Sequence, residues 1–447
     1  MRRLTVEIEI NGKSVYVGDI VGNDHTDTVF TYADEYIDSV DSRAISISLP
    51  LEKRSFSVEQ TKNFFEGLLP EGFMRRSVAE WLRTDENDYI TILAGLGNEC
   101  LGAIKISDNG MPRLEQSYIK LTDEEVRNLA REGATESVQL VTKAHLSLTG
   151  ASGKVGLYFD EANDDWYLPM GEAPSTHIVK QSHIRLKKIV ANEQLCLLTA
   201  KNLGIDVADS FVVNLGSSND EDVLFATKRY DRKIADGNRN INGLMVPYRL
   251  HQEDFAQALG IPASRKYEKD EAGYMKKLFE VIGKYSVNPI EDRIKIWDVC
   301  IFNYLVGNTD NHIKNFSLVY SEDLKSVRLA PAYDIISTMI YESSAEDMAM
   351  SIGGVYNINK IGRESFARQA KIVGLGNSLA MKRFDTLVQG FVRAMNAARL
   401  ELEEKGFDGL EDICQRILDS GGIRNFMKDF SYRLPIICYA KITITTL

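Results

Sequence analysis

The hydrophobic pattern of this chain changes period part-way along, and that change limits the folds open to it more than any other feature. Before about residue 235, apolar residues recur at alternate positions in short runs such as Leu4-Thr-Val-Glu-Ile-Glu-Ile, Ser14-Val-Tyr-Val, Val155-Gly-Leu-Tyr-Phe, Ser210-Phe-Val-Val-Asn and Val223-Leu-Phe-Ala-Thr-Lys-Arg-Tyr. Alternate side chains of a strand share one face, so these runs read as half-buried strands. Beyond about residue 250 the apolar positions fall three and four apart, over Glu253 to Leu259, Glu271 to Tyr285, Ile290 to Leu305, Ser378 to Lys405 and Leu410 to Leu418. That is the spacing of amphipathic helices. At 447 residues the chain exceeds what one hydrophobic core usually serves. The expected fold is α+β and two-lobed: a leading small α+β subdomain over residues 1–140, a mixed α/β lobe over 141–235, and a mainly α-helical lobe over 236–447.

Local signals add detail. Asn11-Gly12 between two alternating runs predicts a hairpin, and Ala44-Ile-Ser-Ile-Ser-Leu a further strand. Ser57 to Leu82, interrupted at Pro70-Glu-Gly, reads as two short helices. The middle lobe holds one helical stretch, Glu193 to Leu203, closed by Gly204.

Composition removes several classes of function. A net charge of −11 argues against a surface that is one large nucleic-acid footprint. Five scattered cysteines without a C-x-x-C pair suggest neither a disulfide framework nor a zinc site. The arginines of Met1-Arg-Arg are followed by charged residues before any signal-peptide core could form, and no run approaches the roughly 18 apolar residues of a membrane helix. A soluble, cytoplasmic protein is expected.

One stretch carries chemistry. Asp310 precedes Asn315 by five residues in Asn308-Thr-Asp-Asn-His-Ile-Lys-Asn, and Asp334 follows in Ala332-Tyr-Asp-Ile-Ile after a strand-like Ser326-Val-Arg-Leu. Phosphoryl transfer needs a carboxylate to orient the attacking hydroxyl, oxygen ligands for Mg²⁺ and a lysine on the phosphates. The D-x-x-x-x-N spacing and the second carboxylate meet the first two needs. Lys180, ending the strand-like Thr176-His-Ile-Val-Lys, meets the third. Glu193 is either its ion-pair partner or a dipole-friendly residue at a helix start. His312 reads as a packed loop histidine or a phosphate contact, and Lys314 as a surface charge or a brace on the transferring phosphate. Tyr230 either stands where a hinge between lobes would present backbone groups to an adenine or is an ordinary lobe-closing aromatic. The segment Ser147-Leu-Thr-Gly-Ala-Ser-Gly-Lys154 is not a Walker A loop. It is still a small-residue turn whose Gly150, Ala151, Ser152 and Gly153 amides could approach phosphates, with Lys154 adding a charge.

These residues together resemble the HipA family, the kinase toxins of bacterial type II toxin–antitoxin modules. The resemblance rests on Thr309-Asp-x-His-x-Lys-Asn, Tyr333-Asp-Ile-Ile, Thr176-His-Ile-Val-Lys, Ser147-x-x-Gly-Ala-x-x-Lys and Arg249-Leu-His-Gln-Glu-Asp-Phe-Ala-Gln-Ala-Leu-Gly, with Ile47-Ser-Leu-Pro-Leu, Phe64-Phe-Glu-Gly-Leu-Leu-Pro-Glu and Leu101-Gly-Ala-Ile upstream. It implies a protein-kinase-like fold, ATP and Mg²⁺ as cofactors, Asp310 as catalytic base, Asn315 and Asp334 as metal ligands, and an ATP site that includes Gly150 to Lys154, Lys180, Lys228, Tyr230, His312 and Asn315. It also implies inactivating autophosphorylation at Ser147, a helix-turn-helix antitoxin (HipB-like) as partner, DNA reached indirectly through that antitoxin, and a protein substrate of the aminoacyl-tRNA synthetase class, such as glutamyl-tRNA synthetase. The chain departs from the family pattern at Ser152-Gly153, commonly Gln-Glu, at Asn311, commonly Gly, and at Lys228, commonly Glu. From the residues alone, a small-molecule kinase and a non-catalytic nucleotide-binding corepressor scaffold are the competing readings.

Overall fold

The structure, a computed structural model, describes residues 1–97, 99–108, 110, 115–132, 140, 153–182, 186–217, 219–235, 237 and 239–427. The fold begins at its first turn: Asn11 and Gly12 both take positive φ, 50° and 73°, which lets β1 (Arg2–Ile10) fold back on β2 (Lys13–Gly22). A Cβ at Gly12 would run into the Tyr248 ring, so close approach to the helical lobe also demands glycine there. Strands β3 (Val29–Tyr32) and β4 (Ile104–Asp108) complete a sheet in the order β3-β2-β1-β4. Leu4, Val6, Ile8 and Ile10 all point from β1 into the core, as their alternation predicts. Two short helices follow, Val58–Phe65 and Gly72–Trp81, the first started by a capping box between Ser57 and Gln60.

The second sheet is antiparallel throughout, in the order β5-β7-β6-β8-β10-β9, from β5 (Ser117–Lys120), β6 (Lys154–Asp160), β7 (Asp165–Met170), β8 (His177–Gln181), β9 (Ser210–Asn214) and β10 (Val223–Lys228). Helix Ile189–Asn202 packs on this sheet and against the long helix Asn377–Glu404 of the second lobe. That lobe also contains helices Tyr274–Tyr285, Pro289–Val306, Arg363–Ile372 and Leu410–Ser420. No helix among the described residues is long and apolar enough to cross a membrane.

Three expectations need correction. Ala44 to Leu49 is not a strand: Ile45 and Leu49 are buried, but Tyr32 Oη accepts from the Ile45 N–H and Glu253 Oε1 from the Ile47 N–H, so side chains satisfy the backbone in place of a neighbouring strand. The division near residue 140 fails in the sheet order, since β5 joins the second sheet and the leading sheet ends at β4. The middle-lobe helix starts at Ile189, which puts Glu193 in its second turn instead of at its start. The lobe after residue 236 is mainly helical, as expected, and also carries a three-stranded sheet of Gln252–Asp254, Ser317–Tyr320 and Val327–Leu329.

The leading sheet is joined to the rest by a fully buried charge cluster. Arg229 Nη1 donates to both oxygens of Glu99 at 3.1 Å, and Arg232 Nη2 donates to Glu99 Oε1 at 2.8 Å. Asp231 accepts from Arg229 Nε at 2.9 Å and from the Gly102 N–H at 2.7 Å. Two guanidinium groups thus face two carboxylates, and backbone carbonyls of Cys100 and Gly102 take further N–H bonds. Burial opposes ionisation of Asp231, but Arg229 and Arg232 outweigh it and hold that carboxyl well below the usual range. Removing one member leaves an uncompensated charge in the interior, which costs about 3–5 kcal/mol. Glu99→Ala should therefore lower the urea midpoint of unfolding markedly, whereas alanine at the exposed Glu161 should move it by no more than about 0.5 kcal/mol.

Candidate active site

The site is assembled where β8, helix Ile189–Asn202, the loop after helix Pro289–Val306 and the segment around Asp334 meet. On β8, Ile178 and Lys180 face away from the buried His177, Val179 and Gln181. Lys180 Nζ lies 2.7 Å from Glu193 Oε1 and 2.6 Å from Asp334 Oδ1. Burial by itself would pull the Lys180 ammonium down, yet Asp334 and Glu193 raise its pKa above the ordinary lysine value. Of the two readings of Glu193, the ion pair is the one observed. Lys154 stands directly across the ladder from Lys180, and with little water around it and a second ammonium nearby its pKa falls to about 8.

Helix Ile189–Asn202 is locked in register with the Asp334 segment. Asn192 Nδ2 donates to Ser337 O at 2.9 Å and its Oδ1 accepts from the Ser337 N–H at 3.1 Å. Asp334 itself adopts φ +56°, a left-handed conformation that costs a non-glycine residue of order 1–3 kcal/mol. Burial raises the Asp334 carboxyl, but Lys180 and Lys154 overcome it and keep the group ionised far below the usual carboxylate range.

Helix Pro289–Val306 ends at Gly307, φ +75°, where a Cβ would sit 3.0 Å from Gly421 Cα and Met339 Cβ. The next eight residues are held at every turn. Asn308 bridges back to Asn303 at 2.7 Å and accepts from the Asp310 N–H at 3.1 Å, while the Thr309 N–H donates to Thr338 Oγ1 at 2.9 Å. Asn315 Nδ2 donates to Asp310 O at 3.1 Å, and among the described residues no donor reaches Asn315 Oδ1. Burial raises the Asp310 carboxyl above its ordinary pKa, a hydrogen bond from Tyr267 opposes this, and Asp334 adds to the rise.

His312 is buried against the Tyr267 ring, at 5.3 Å between centroids, and burial drives its pKa down to about 3, so it is neutral. Lys314 is not a surface charge. Its ammonium lies 2.7 Å from Asp254 Oδ2 and 3.6 Å from Glu71 Oε1, both largely buried. Asp254 also caps helix Phe255–Leu259, so Lys314 ties the loop to that helix and to the leading unit. Tyr230 stacks on Tyr333 at 5.9 Å and hydrogen-bonds Gln252. The Lys228 side chain, at the exposed end of β10, pairs with Glu161 just past β6, and its N–H donates to Asp209 O, so neither joins the Lys180–Asp334 cluster. Gly153 is buried at the start of β6; Ser147, Gly150, Ala151 and Ser152 lie outside the described residues. Glu71, Asp254 and Tyr267 were not singled out by spacing, because each arrives from a distant segment.

Lys180, Glu193, Asp334, Asp310 and Asn315 thus form one cluster drawn from two lobes. Residues 8–107 match the family model described as HipA N-terminal domain, and residues 146–406 that of the HipA-like C-terminal domain. The chain belongs to the HipA family. Among its relatives, Y4mE of Sinorhizobium fredii is 31% identical over 94% of this chain and 96% of that protein. The serine/threonine-protein kinase toxin HipA of Shewanella oneidensis is 26% identical over 78% of this chain and 80% of that protein. In solved form, HipA from the Shewanella oneidensis complex of HipA, HipB and operator DNA superposes with a TM-score of 0.75 at 23% identity, covering 94% of this chain and 97% of the other. The fold is the two-lobed, kinase-like α+β fold of HipA.

For this HipA-family chain, the shared ammonium implies a measurable coupling. Lys180→Met brings Glu193 and Asp334 together without their counter-charge, and adding Glu193→Gln should restore part of the lost stability. Urea unfolding of the four proteins in the cycle should give a coupling of about 0.5–3 kcal/mol; strictly additive losses would mean that the two side chains do not act on each other.

Proposed function

We propose that this protein transfers the γ-phosphate of ATP to a serine or threonine hydroxyl of a protein. The observation that carries the reading is Lys180 Nζ bridging Glu193 and Asp334 beside a loop that presents Asp310 and Asn315. Phosphoryl transfer is mainly positioning and charge neutralisation, and these residues divide that work. Asp310 accepts the proton of the attacking hydroxyl, and its low-dielectric surroundings keep it a competent base. Lys180, oriented by Glu193, and Lys154 beside it attract the phosphates.

The donor set suits Mg²⁺. Asn315 has spent its amide N–H on Asp310 O and offers Oδ1, while Asp334 has committed Oδ1 to Lys180 and offers Oδ2. Both are hard oxygen donors. Bound there, Mg²⁺ would neutralise charge on the nucleotide phosphates.

Family membership and the Shewanella oneidensis assembly support a HipB-like helix-turn-helix antitoxin as partner, through which an acidic chain of this kind would be held at operator DNA. The resemblance supports a toxin role, in which phosphorylation of an aminoacyl-tRNA synthetase, with glutamyl-tRNA synthetase the first to try, blocks translation. It also supports self-inactivation at Ser147, where a phosphate would add about −1.5 to −2 charge to a loop of small residues.

Intact-mass measurement after incubation with Mg-ATP tests the chemistry. The wild-type chain should gain phosphate, Ser147→Ala should lose the main site, and Asp310→Asn should slow transfer by about 10²–10⁴-fold. Absence of phosphate on the wild-type chain and on every lysate protein would reject the reading.

A further inference from the structure

The base of the proposed reaction already has a hydroxyl against it. Tyr267 Oη donates to Asp310 Oδ1 at 2.5 Å. Tyr267 is 42% exposed, so it is not held there as part of the core. Its surroundings fix where the ring starts from. The ring stands edge-on to His312, 5.3 Å between centroids at 83°, and Lys266 Nζ lies 5.5 Å above it. Lys266 is tied in turn to Glu71 Oε2 at 2.8 Å.

The backbone on both sides is pinned. The Glu268 N–H donates to Ala349 O at 2.8 Å, the Glu268 carboxylate takes the N–H groups of Gly273, Tyr274 and Ser351, and Arg265 O accepts from Tyr274 Oη at 2.7 Å. A rigid segment therefore presents one partly exposed side chain to Asp310. Only that side chain has to turn to clear the carboxylate.

In phosphoryl transfer, the group that must donate to this carboxylate is the acceptor hydroxyl. We propose that Tyr267 is an acceptor-site gate: its hydroxyl fills the acceptor's position on Asp310, keeps water from being activated there, and gives way to the serine or threonine of a bound protein. The inference rests on the phosphoryl-transfer reading. It adds a cause for selectivity, since a base left open beside bound ATP would pass phosphate to water. Small hydroxyl compounds gain little by displacing the tyrosine, whereas a protein can turn the ring aside with contacts made elsewhere. Tyr267 is a positioning residue in this scheme; it neither receives phosphate nor transfers a proton in the reaction.

The test uses the full chain with Mg-ATP and no added acceptor, comparing wild type, Tyr267→Phe, Asp310→Asn and the double variant. Phenylalanine keeps the ring on His312 and Lys266 and vacates a single oxygen, enough room for a water. ADP release by Tyr267→Phe should be several-fold faster than by wild type, with KM for ATP unchanged, and the Asp310→Asn change in the same chain should abolish the gain. A merely structural tyrosine would slow the enzyme or leave it alone. ADP release equal to or below wild type, in a Tyr267→Phe protein that still phosphorylates itself, would overturn the gate. Phosphate mapped to Tyr267 in the wild type would overturn it as well. If no variant releases ADP or takes up phosphate, the phosphoryl-transfer reading fails and the gate falls with it.

Discussion

One ammonium group organises the cleft. Lys180 reaches from the middle of a sheet to a carboxylate on a helix and to a second on the opposite lobe, so three elements remote in sequence have their relative positions set by a single cation. Each half of the arrangement depends on the other. Glu193 has few contacts with water and would be costly to keep ionised without the lysine. Asp334 is held in a backbone conformation that a non-glycine residue seldom takes, and its contact with Lys180 contributes to the stabilisation that offsets this strain.

Around that centre the supporting contacts are mostly backbone to side chain. Asn192 and Ser337 exchange two hydrogen bonds, and Thr309 and Thr338 are linked through Oγ1 atoms 2.8 Å apart. Such reciprocal pairs hold the geometry of a cleft more tightly than apolar packing, because each leaves an unsatisfied buried group when displaced. The leading unit takes part in this framework. Glu71, at the start of helix Gly72–Trp81, faces Lys266, next to Tyr267, and Lys314, within the Asp310 loop.

That Lys180, Asp310, Asn315 and Asp334 come together was readable because spacing within one loop and alternation within one strand constrain where side chains fall. β9 fell at Ser210–Asn214 and the long helix at Asn377–Glu404, close to their apolar periods, since each presents a regular face to a core. The Ala44 to Leu49 run misled for a physical reason: alternation of burial also arises in an irregular segment whose polar atoms are met by Tyr32 and Glu253. The place of Lys314 stayed open because a single lysine in a loop carries no mark of the carboxylates that meet it, one of them 60 residues and the other more than 200 residues earlier in the chain. Tyr267 was invisible for the same cause, as no local pattern ties it to Asp310.

The buried cluster at the joint also has a consequence for the order in which the chain can fold. Glu99 lies 130 positions before Arg229. Units of a long chain tend to fold as they are synthesised, first end first. Here the leading unit contains a carboxylate whose paired guanidinium groups, on Arg229 and Arg232, are made much later, so until β10 and the residues after it emerge, the stretch from Glu99 to Gly102 stays open to water. The first unit to be made is therefore among the last to close.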